Sequence, residues 1–243
     1  MVPLVVIEKV NAAGSTLVLS RRGDQFSIRT GGVELMNSQN HASEDELGRL
    51  TCARLAQTEK PTLLVGGLGL GFTLRAALDA LPPAARVEVV EIVPEVVRWN
   101  RTILGPLANH PLDDPRTFVI EGDVAHVIRK SAGRYDAILL DVDNGPDGVF
   151  KGNKTLYERA GLVAALRALT PNGVLAVWSS FESPIFTKAL QKAGFEVELA
   201  AIRPKHGGPR HCIWFARALA RQGQDGRGAP PKLRPPSKRS PVR

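Results

Sequence analysis

The chain has 243 residues, of which 43% are hydrophobic, so it is long and apolar enough to bury a full core. No apolar stretch approaches the roughly 18 residues that a membrane-spanning helix needs, and two cysteines are too few for a disulfide framework or a metal cluster. With no leader pattern at its start, we expect a cytoplasmic protein without a metal site.

The formal net charge of +8 is concentrated in one segment, residues 219–243. That segment holds seven Lys and Arg residues against one Asp, a balance of +6, which leaves about +2 for residues 1–218 by subtraction. Its richness in Pro, Gly and Ser predicts a disordered tail. We expect no nucleic-acid partner except through weak contacts of this tail.

Residues 1–42 are predicted to form a small N-terminal β-domain. Turn residues at 11–14, 23–24 and 31–32 separate four short apolar runs that are typical of antiparallel strands: PLVVIEKV, STLVLSRR, QFSIRT and VELMNS. A helix is expected to follow from Ser43, because Ser43 and Glu46 have the spacing of a capping box and Leu47, Leu50 and Leu55 share one helical face.

From residue 62 onward, apolar strands alternate with helices of about ten residues, which indicates a parallel sheet covered on both faces. The last strand, RHCIWFARA, follows its predecessor through a loop too short for a helical crossover, so we expect an antiparallel hairpin. The predicted fold is α/β, a Rossmann-like, doubly wound, seven-stranded sheet that resembles the S-adenosylmethionine-dependent methyltransferase type. Residues 43–218 are expected to form this nucleoside-binding catalytic domain.

Polar residues at four strand ends predict a nucleoside site, because ligands of such sheets bind outside the carboxyl ends of the strands. After the first strand, a glycine-rich turn allows a ligand to approach the backbone closely; its glycines are Gly66, Gly67, Gly69 and Gly71. Glu91 can accept both hydroxyls of a ribose, and Asp123 either binds an adenine amino group or caps the next helix. Asp141 ends the fourth of these strands, and so much acid favours a cationic adenosyl-sulfonium ligand over NAD.

Across residues 1 to about 218, the chain resembles the spermidine synthase (polyamine aminopropyltransferase) family. The resemblance is carried by the order and spacing of four motifs: GGLGLG, VVEIVPEVV, EGDV and YDAILLDVDNGP. It implies a homodimer that uses decarboxylated S-adenosylmethionine, with Ile92 and Val124 joining the acids and glycines of the nucleoside site. In the family chemistry an amine attacks the carbon beside a sulfonium, so Asp141 would act as the general base.

The resemblance also implies a binding site for a small cationic amine, putrescine or another polyamine. The acceptor-binding residues would be Gln39, or Asn40 if the register shifts by one residue, together with Asp143 and Asn144. Acids attract a polycation, and Glu182, which follows the fifth strand at the same edge of the sheet, is a further acceptor-binding candidate.

The sequence departs from the family pattern at three polar positions. Asn144 replaces an expected acid, Gly69 replaces an aspartate that would hold the donor's propylamine, and Gly48 or Arg49 stands where a tyrosine is expected. Loss of the loop acid removes a repulsion against the carboxylate of ordinary S-adenosylmethionine. Methyl transfer from that donor to a small molecule is therefore an alternative, and a non-catalytic nucleoside-binding protein is a second one.

Overall fold

The computed structural model describes residues 2–12, 14–55, 58–142, 145–146, 154–203 and 210–219. Within these residues the fold comprises two sheets, seven α-helices and two short 3₁₀ helices. No helix of this described part is long and apolar enough to cross a membrane.

The smaller sheet has four antiparallel strands in the order β1-β2-β3-β4, as the sequence predicts. The turns between the strands use Gly14, Gly23, Gly31 and Gly32, all of which have positive φ. The strands are β1 (Val5–Ala12), β2 (Ser15–Arg22), β3 (Gln25–Thr30) and β4 (Val33–Asn37).

The larger sheet has seven strands in the order β10-β11-β9-β8-β5-β6-β7, and β11 is its one antiparallel strand. This arrangement confirms the doubly wound α/β fold and the terminal hairpin. The strands are β5 (Thr62–Gly66), β6 (Arg86–Glu91), β7 (Thr117–Glu121), β8 (Tyr135–Leu140), β9 (Leu169–Ser179), β10 (Phe195–Ile202) and β11 (His211–Ala218).

Helices cover both faces of the larger sheet. They are α1 (Ala42–Cys52), α2 (Phe72–Ala80), α3 (Pro94–Arg101), α4 (Val124–Lys130), α5 (Lys154–Tyr157), α6 (Arg159–Ala168) and α7 (Pro184–Ala193), with 3₁₀ turns at Gly105–Ala108 and Pro111–Asp113.

Alternating side chains of the strands divide the core into two layers. Leu63 and Val65 of β5 face a layer built with α1, α2 and α3, whereas Leu64 between them faces a layer built with α4, α6 and α7. Leu19 and Ile28 of the small sheet belong to the first layer, so both sheets share one core. The domain boundaries at residues 42 and 218 remain predictions.

The predicted capping box of α1 is wrong. The helix begins at Ala42 after His41, whose side chain makes no capping hydrogen bond. Ser43 donates instead to Glu44 Oε2 at 2.6 Å, and Glu46 pairs with Arg49 at the surface. The cause is a tertiary contact, because Ser43 Oγ also lies 2.8 Å from His211 Nδ1 of β11 and is turned away from the helix end.

Candidate active site

The carboxyl ends of β5, β6, β7 and β8 surround a cavity of about 280 Å³, which we call the nucleoside cavity. The small sheet closes it from above with Leu17, Ile28, Leu35 and Met36. The cavity is lined by the predicted catalytic residue Asp141 and by six of the predicted donor-binding residues: Gly67, Gly69, Glu91, Ile92, Asp123 and Val124. Gly66 and Gly71 lie outside the wall, where they pack against Val124 and Pro111 and shape the turn.

The glycine-rich turn brings β5 against the end of β8. Gly67 has φ +87°, and a Cβ there would lie 2.3 Å from the carbonyl oxygen of Asp141. The Asp141 amide in turn donates to the Gly66 carbonyl at 2.9 Å. Only glycine permits this approach, which places Asp141 beside the turn.

Glu91 is 8% exposed and holds the turn in place. Its Oε2 accepts from the Leu68 amide at 2.9 Å and its Oε1 accepts from the Val93 amide at 3.0 Å. Burial raises the pKa of Glu91, and these amide hydrogen bonds oppose the rise. A carboxylate oxygen has more than one lone pair, so hydroxyls of a ligand can still bind here.

Asp123 is the N-cap of α4, and its Oδ1 accepts from the Ala125 amide at 2.8 Å. Its Oδ2 lies 3.7 Å from Arg129. The capping interpretation of Asp123 is therefore confirmed. Contact with adenine remains a prediction that the position of Asp123 in the cavity wall permits.

A second, smaller cavity of about 80 Å³ adjoins the first, and we call it the chamber. Leu35, Met36, Gly69 and Asp141 line both cavities. The other walls of the chamber come from Glu44, Leu68, Leu70, Phe72, Thr73 and Trp178. None of these described wall residues is basic, so the chamber carries two carboxyl groups without a cationic side chain in its wall.

Asp141 lies at the junction of the two cavities. Thr73 Oγ1 donates to Asp141 Oδ2 at 2.6 Å, and the same hydroxyl lies 3.3 Å from the Glu44 carbonyl oxygen. Burial raises the pKa of Asp141 to about 6, although the Thr73 hydrogen bond opposes the rise. Burial, reinforced by the charge of Asp141, raises the pKa of Glu44 to about 7. The two carboxyl groups therefore resist being ionised together unless a cation joins them.

The sequence profile of the spermine/spermidine synthase domain matches residues 51–195, more than half of the chain. The chain belongs to the spermine/spermidine synthase family. This is a family of transferases, and the match includes the glycine-rich turn, Glu91, Asp123 and Asp141 of the site.

Three known proteins illustrate how the chain relates to this family. It is 38% identical over 117 residues to putrescine N-methyltransferase 1 of Nicotiana tabacum, over 48% of this chain and 29% of that protein. It is 30% identical over 168 residues to a polyamine aminopropyltransferase of Corynebacterium efficiens, and the match covers 68% of this chain and 31% of that protein. Its fold matches a spermidine synthase solved in complex with the transition state analogue AdoDATO, with a TM-score of 0.70 and 18% sequence identity. The match covers 89% of this chain and 73% of that chain.

The two sequence matches cover about a third of the length of each of these relatives. They support the family assignment, and the solved structure confirms the fold. Activity, substrates and partners of the whole protein are proposals.

The structure does not bring all predicted acceptor residues to the two cavities. Gln39 is exposed and lines a neighbouring wide groove of about 610 Å³ with His41 and Phe72, and Phe72 also lines the chamber. Glu182 is exposed and lies outside both cavity walls. Asp143 and Asn144 lie outside the described residues, so their acceptor role stays a prediction.

Sequence reasoning missed Glu44, Thr73 and Trp178. Glu44 reads as an ordinary polar residue in the first turn of a helix, and no motif marks it. Trp178 reads as a core residue of β9, and it is only 8% exposed, yet it also lines the chamber. Only the packing of α1 and α2 against the ends of β8 and β9 shows that these residues meet. No cluster of three or more potential metal ligands occurs among the described residues.

Proposed function

We propose that the protein transfers an aminopropyl group from decarboxylated S-adenosylmethionine to a small amine, with Asp141 as the general base. The observation that carries this proposal is the position of Asp141 between a nucleoside-sized cavity and an acidic chamber. Membership of the spermine/spermidine synthase family supports the same reaction class.

The proposed reaction places few demands on the protein. The donor supplies an electrophilic carbon beside its sulfonium. The amine nitrogen forms a bond to that carbon while the bond between the carbon and sulfur breaks, and the thioether leaves. The nitrogen loses one proton, which Asp141 accepts. With a pKa of about 6, Asp141 is mostly ionised at neutral pH, and it is a stronger base than an aspartate in water.

The nucleoside part of the donor would lie between the small sheet and the ends of β5 to β8. In this proposal Glu91 accepts the ribose hydroxyls and Asp123 accepts the adenine amino group, while Ile92 and Val124 contact the base. Gly67 and Gly69 leave room for the sulfonium beside Asp141. The fit rests on the lining of the cavity, which provides acids at one end and apolar side chains above.

Methyl transfer from S-adenosylmethionine is the second candidate, and Gly69 favours it. No acid stands at this position of the turn to repel the carboxylate of that donor. The relative from Nicotiana tabacum is named as a putrescine N-methyltransferase. The same base and the same nucleoside cavity would serve this reaction.

One experiment separates the two candidates. The purified full chain is incubated with each donor and with a panel of mono-, di- and polyamines, and products are identified by mass. Addition of an aminopropyl group with release of methylthioadenosine supports the first candidate, whereas addition of a methyl group supports the second. Absence of any transfer would refute both. The expected homodimer, the cytoplasmic location and the disordered tail remain predictions.

A further inference from the structure

The chamber has no acid from the glycine-rich turn, because glycine stands at position 69. Gly69 has φ +53°, and a Cβ at this position would lie 3.0 Å from Met36 Sδ. Most side chains would be strained in this left-handed backbone, but Asp and Asn tolerate it, and Met36 Sδ is the end of a flexible side chain that can shift. Because glycine stands at position 69, a carboxylate in this part of the site comes from another element.

Helix α1 supplies such an acid in Glu44. Its side chain lines the chamber together with Leu68, Gly69 and Leu70, the tip of the turn. Ser43 donates to Glu44 Oε2 at 2.6 Å and is itself 3% exposed, which fixes the carboxylate from the side of β11. The other oxygen, Oε1, is left without a hydrogen bond from Ser43.

We propose that Glu44 selects the donor: its carboxylate accepts the terminal ammonium of an aminopropyl chain and repels the carboxylate of S-adenosylmethionine. This inference rests on the proposed nucleoside-donor function and decides between the two donors. Glu44 is thus a specificity-determining residue that replaces the absent acid of the turn.

The size of the chamber fits this occupant. A volume of about 80 Å³ exceeds the roughly 10–15 Å³ that a cavity needs to hold one water molecule, so it holds a short chain of a few heavy atoms. Its apolar walls suit three methylene groups. A methionine tail has the same three carbons and adds a carboxylate as a branch on the last of them, which would face both Glu44 and Asp141 in a wall without a basic side chain.

Two further observations indicate that a ligand completes this chamber. Trp178 is 8% exposed, lines the chamber, and its Nε1–H has no hydrogen-bond acceptor among the described residues. Buried donors without a partner in the chain are uncommon and point to water or a ligand. Independently, burial raises the pKa of both chamber carboxyls, and a bound ammonium would offset that rise.

The test compares three adenosine derivatives. Methylthioadenosine is a neutral thioether without a tail, decarboxylated S-adenosylmethionine is a sulfonium whose tail carries an ammonium, and S-adenosylmethionine is a sulfonium whose tail carries an ammonium and a carboxylate. Each is titrated calorimetrically into the wild-type full chain, into Glu44→Gln and into the matched control Glu46→Gln, whose site is the surface pair with Arg49.

We expect Glu44→Gln to weaken binding of the decarboxylated donor by about 10- to 100-fold, as for loss of a hydrogen bond to a charged group. Methylthioadenosine affinity should stay within about twofold, which also shows that the variant is folded. The preference for the decarboxylated donor over S-adenosylmethionine should shrink or reverse. Glu46→Gln should behave as wild type.

Two results would overturn the inference. One is an unchanged ratio of the two donor affinities in Glu44→Gln. The other is a variant that binds both donors normally but binds the amine acceptor more weakly, because the chamber would then belong to the acceptor. If Glu44→Gln changes donor preference while no transfer reaction is found, the inference stands and the proposed reaction fails. If the wild-type chain binds none of the three nucleosides, both fail.

Discussion

The carboxylate of Asp141 accepts a hydrogen bond from Thr73. Among the described residues, Asp141 is the only titratable residue that lines both the nucleoside cavity and the chamber. Asp141→Asn keeps the shape and removes the base. We expect turnover to fall by about a hundredfold or more, in line with loss of general-base catalysis, and methylthioadenosine affinity to change little.

Single-turnover kinetics and calorimetry measure these two quantities separately. Asp113→Asn is a suitable control, because the Asp113 side chain is 76% exposed and lies outside both cavity walls. Unchanged turnover in Asp141→Asn would remove Asp141 from the role of base.

Glu44 lowers stability at the pH where it functions. Its pKa is raised to about 7 in the folded protein from 4.5 in the unfolded chain, so the folded state holds this proton more tightly. The folded state therefore loses stability relative to the unfolded state as the pH rises from below 4.5 through about 7. Glu44→Gln removes this loss. It should raise the free energy of unfolding by about 1–3 kcal/mol near pH 8 and change it little near pH 4.

Urea unfolding at the two pH values measures this difference. Glu46→Gln again provides the control, since Glu46 belongs to an ion pair at the surface. If Glu44→Gln changed the free energy of unfolding equally at both pH values, the pKa of Glu44 would not be raised in the folded protein.

At the scale of elements, the contact between α1 and α2 determines where Glu44 and Thr73 meet. Gly48 of α1 makes this contact close, because a Cβ there would lie 2.7 Å from the Thr73 carbonyl oxygen and from the Ala77 amide nitrogen. Gly48→Ala should therefore force the helices apart. We expect a destabilisation of about 1–3 kcal/mol and a loss of donor discrimination, since both side chains move with their helices.

Denaturant unfolding and donor titration test Gly48→Ala, with Arg49→Ala as the neighbouring control. Arg49 is exposed, and its ion pair with Glu46 contributes little. If Gly48→Ala had the same free energy of unfolding as the wild type, the close contact between α1 and α2 would not contribute to stability.

The same contact explains what could and could not be predicted from the sequence. The end of a buried strand is visible in the sequence as an apolar run that stops at a glycine or a polar residue. The glycine-rich turn, Glu91, Asp123 and Asp141 were predictable for this reason. Glu44 was not, because its importance comes from a Gly48 contact that joins residues 25 or more positions apart. The capping box failed for the same reason, since Ser43 bonds toward His211, 168 positions away.

At the scale of the whole molecule, the small sheet is part of the active site. Leu35 and Met36 of β4 line both cavities, and Glu8 of β1 ties the sheet to α3 by accepting from Trp99 Nε1 at 2.8 Å. Arg98 donates to the same carboxylate at 2.6 Å. The two sheets share one core, and the predicted domain boundary at residue 42 stays a prediction.

The net charge of the sequence and the charge of the site have opposite signs. Residues 219–243 carry +6 of the net +8, whereas the two cavities are acidic and bind a cation in our proposal. Deleting residues 219–243 should therefore leave methylthioadenosine affinity and melting temperature unchanged. Any retention of the intact chain on a DNA column at low salt should disappear, because phosphate contacts depend on the number of Lys and Arg residues that neutralise them.

The salt concentration at which each form elutes from the column is the measurement. Replacing the seven Lys and Arg residues of the segment by Gln, with its length kept, distinguishes a charge effect from a length effect. The charge-free form should elute with the truncated form. If both altered forms were still retained, the nucleic-acid contact would lie on residues 1–218. The Lys and Arg residues of that part, whose net charge is only about +2, would then have to cluster on one face.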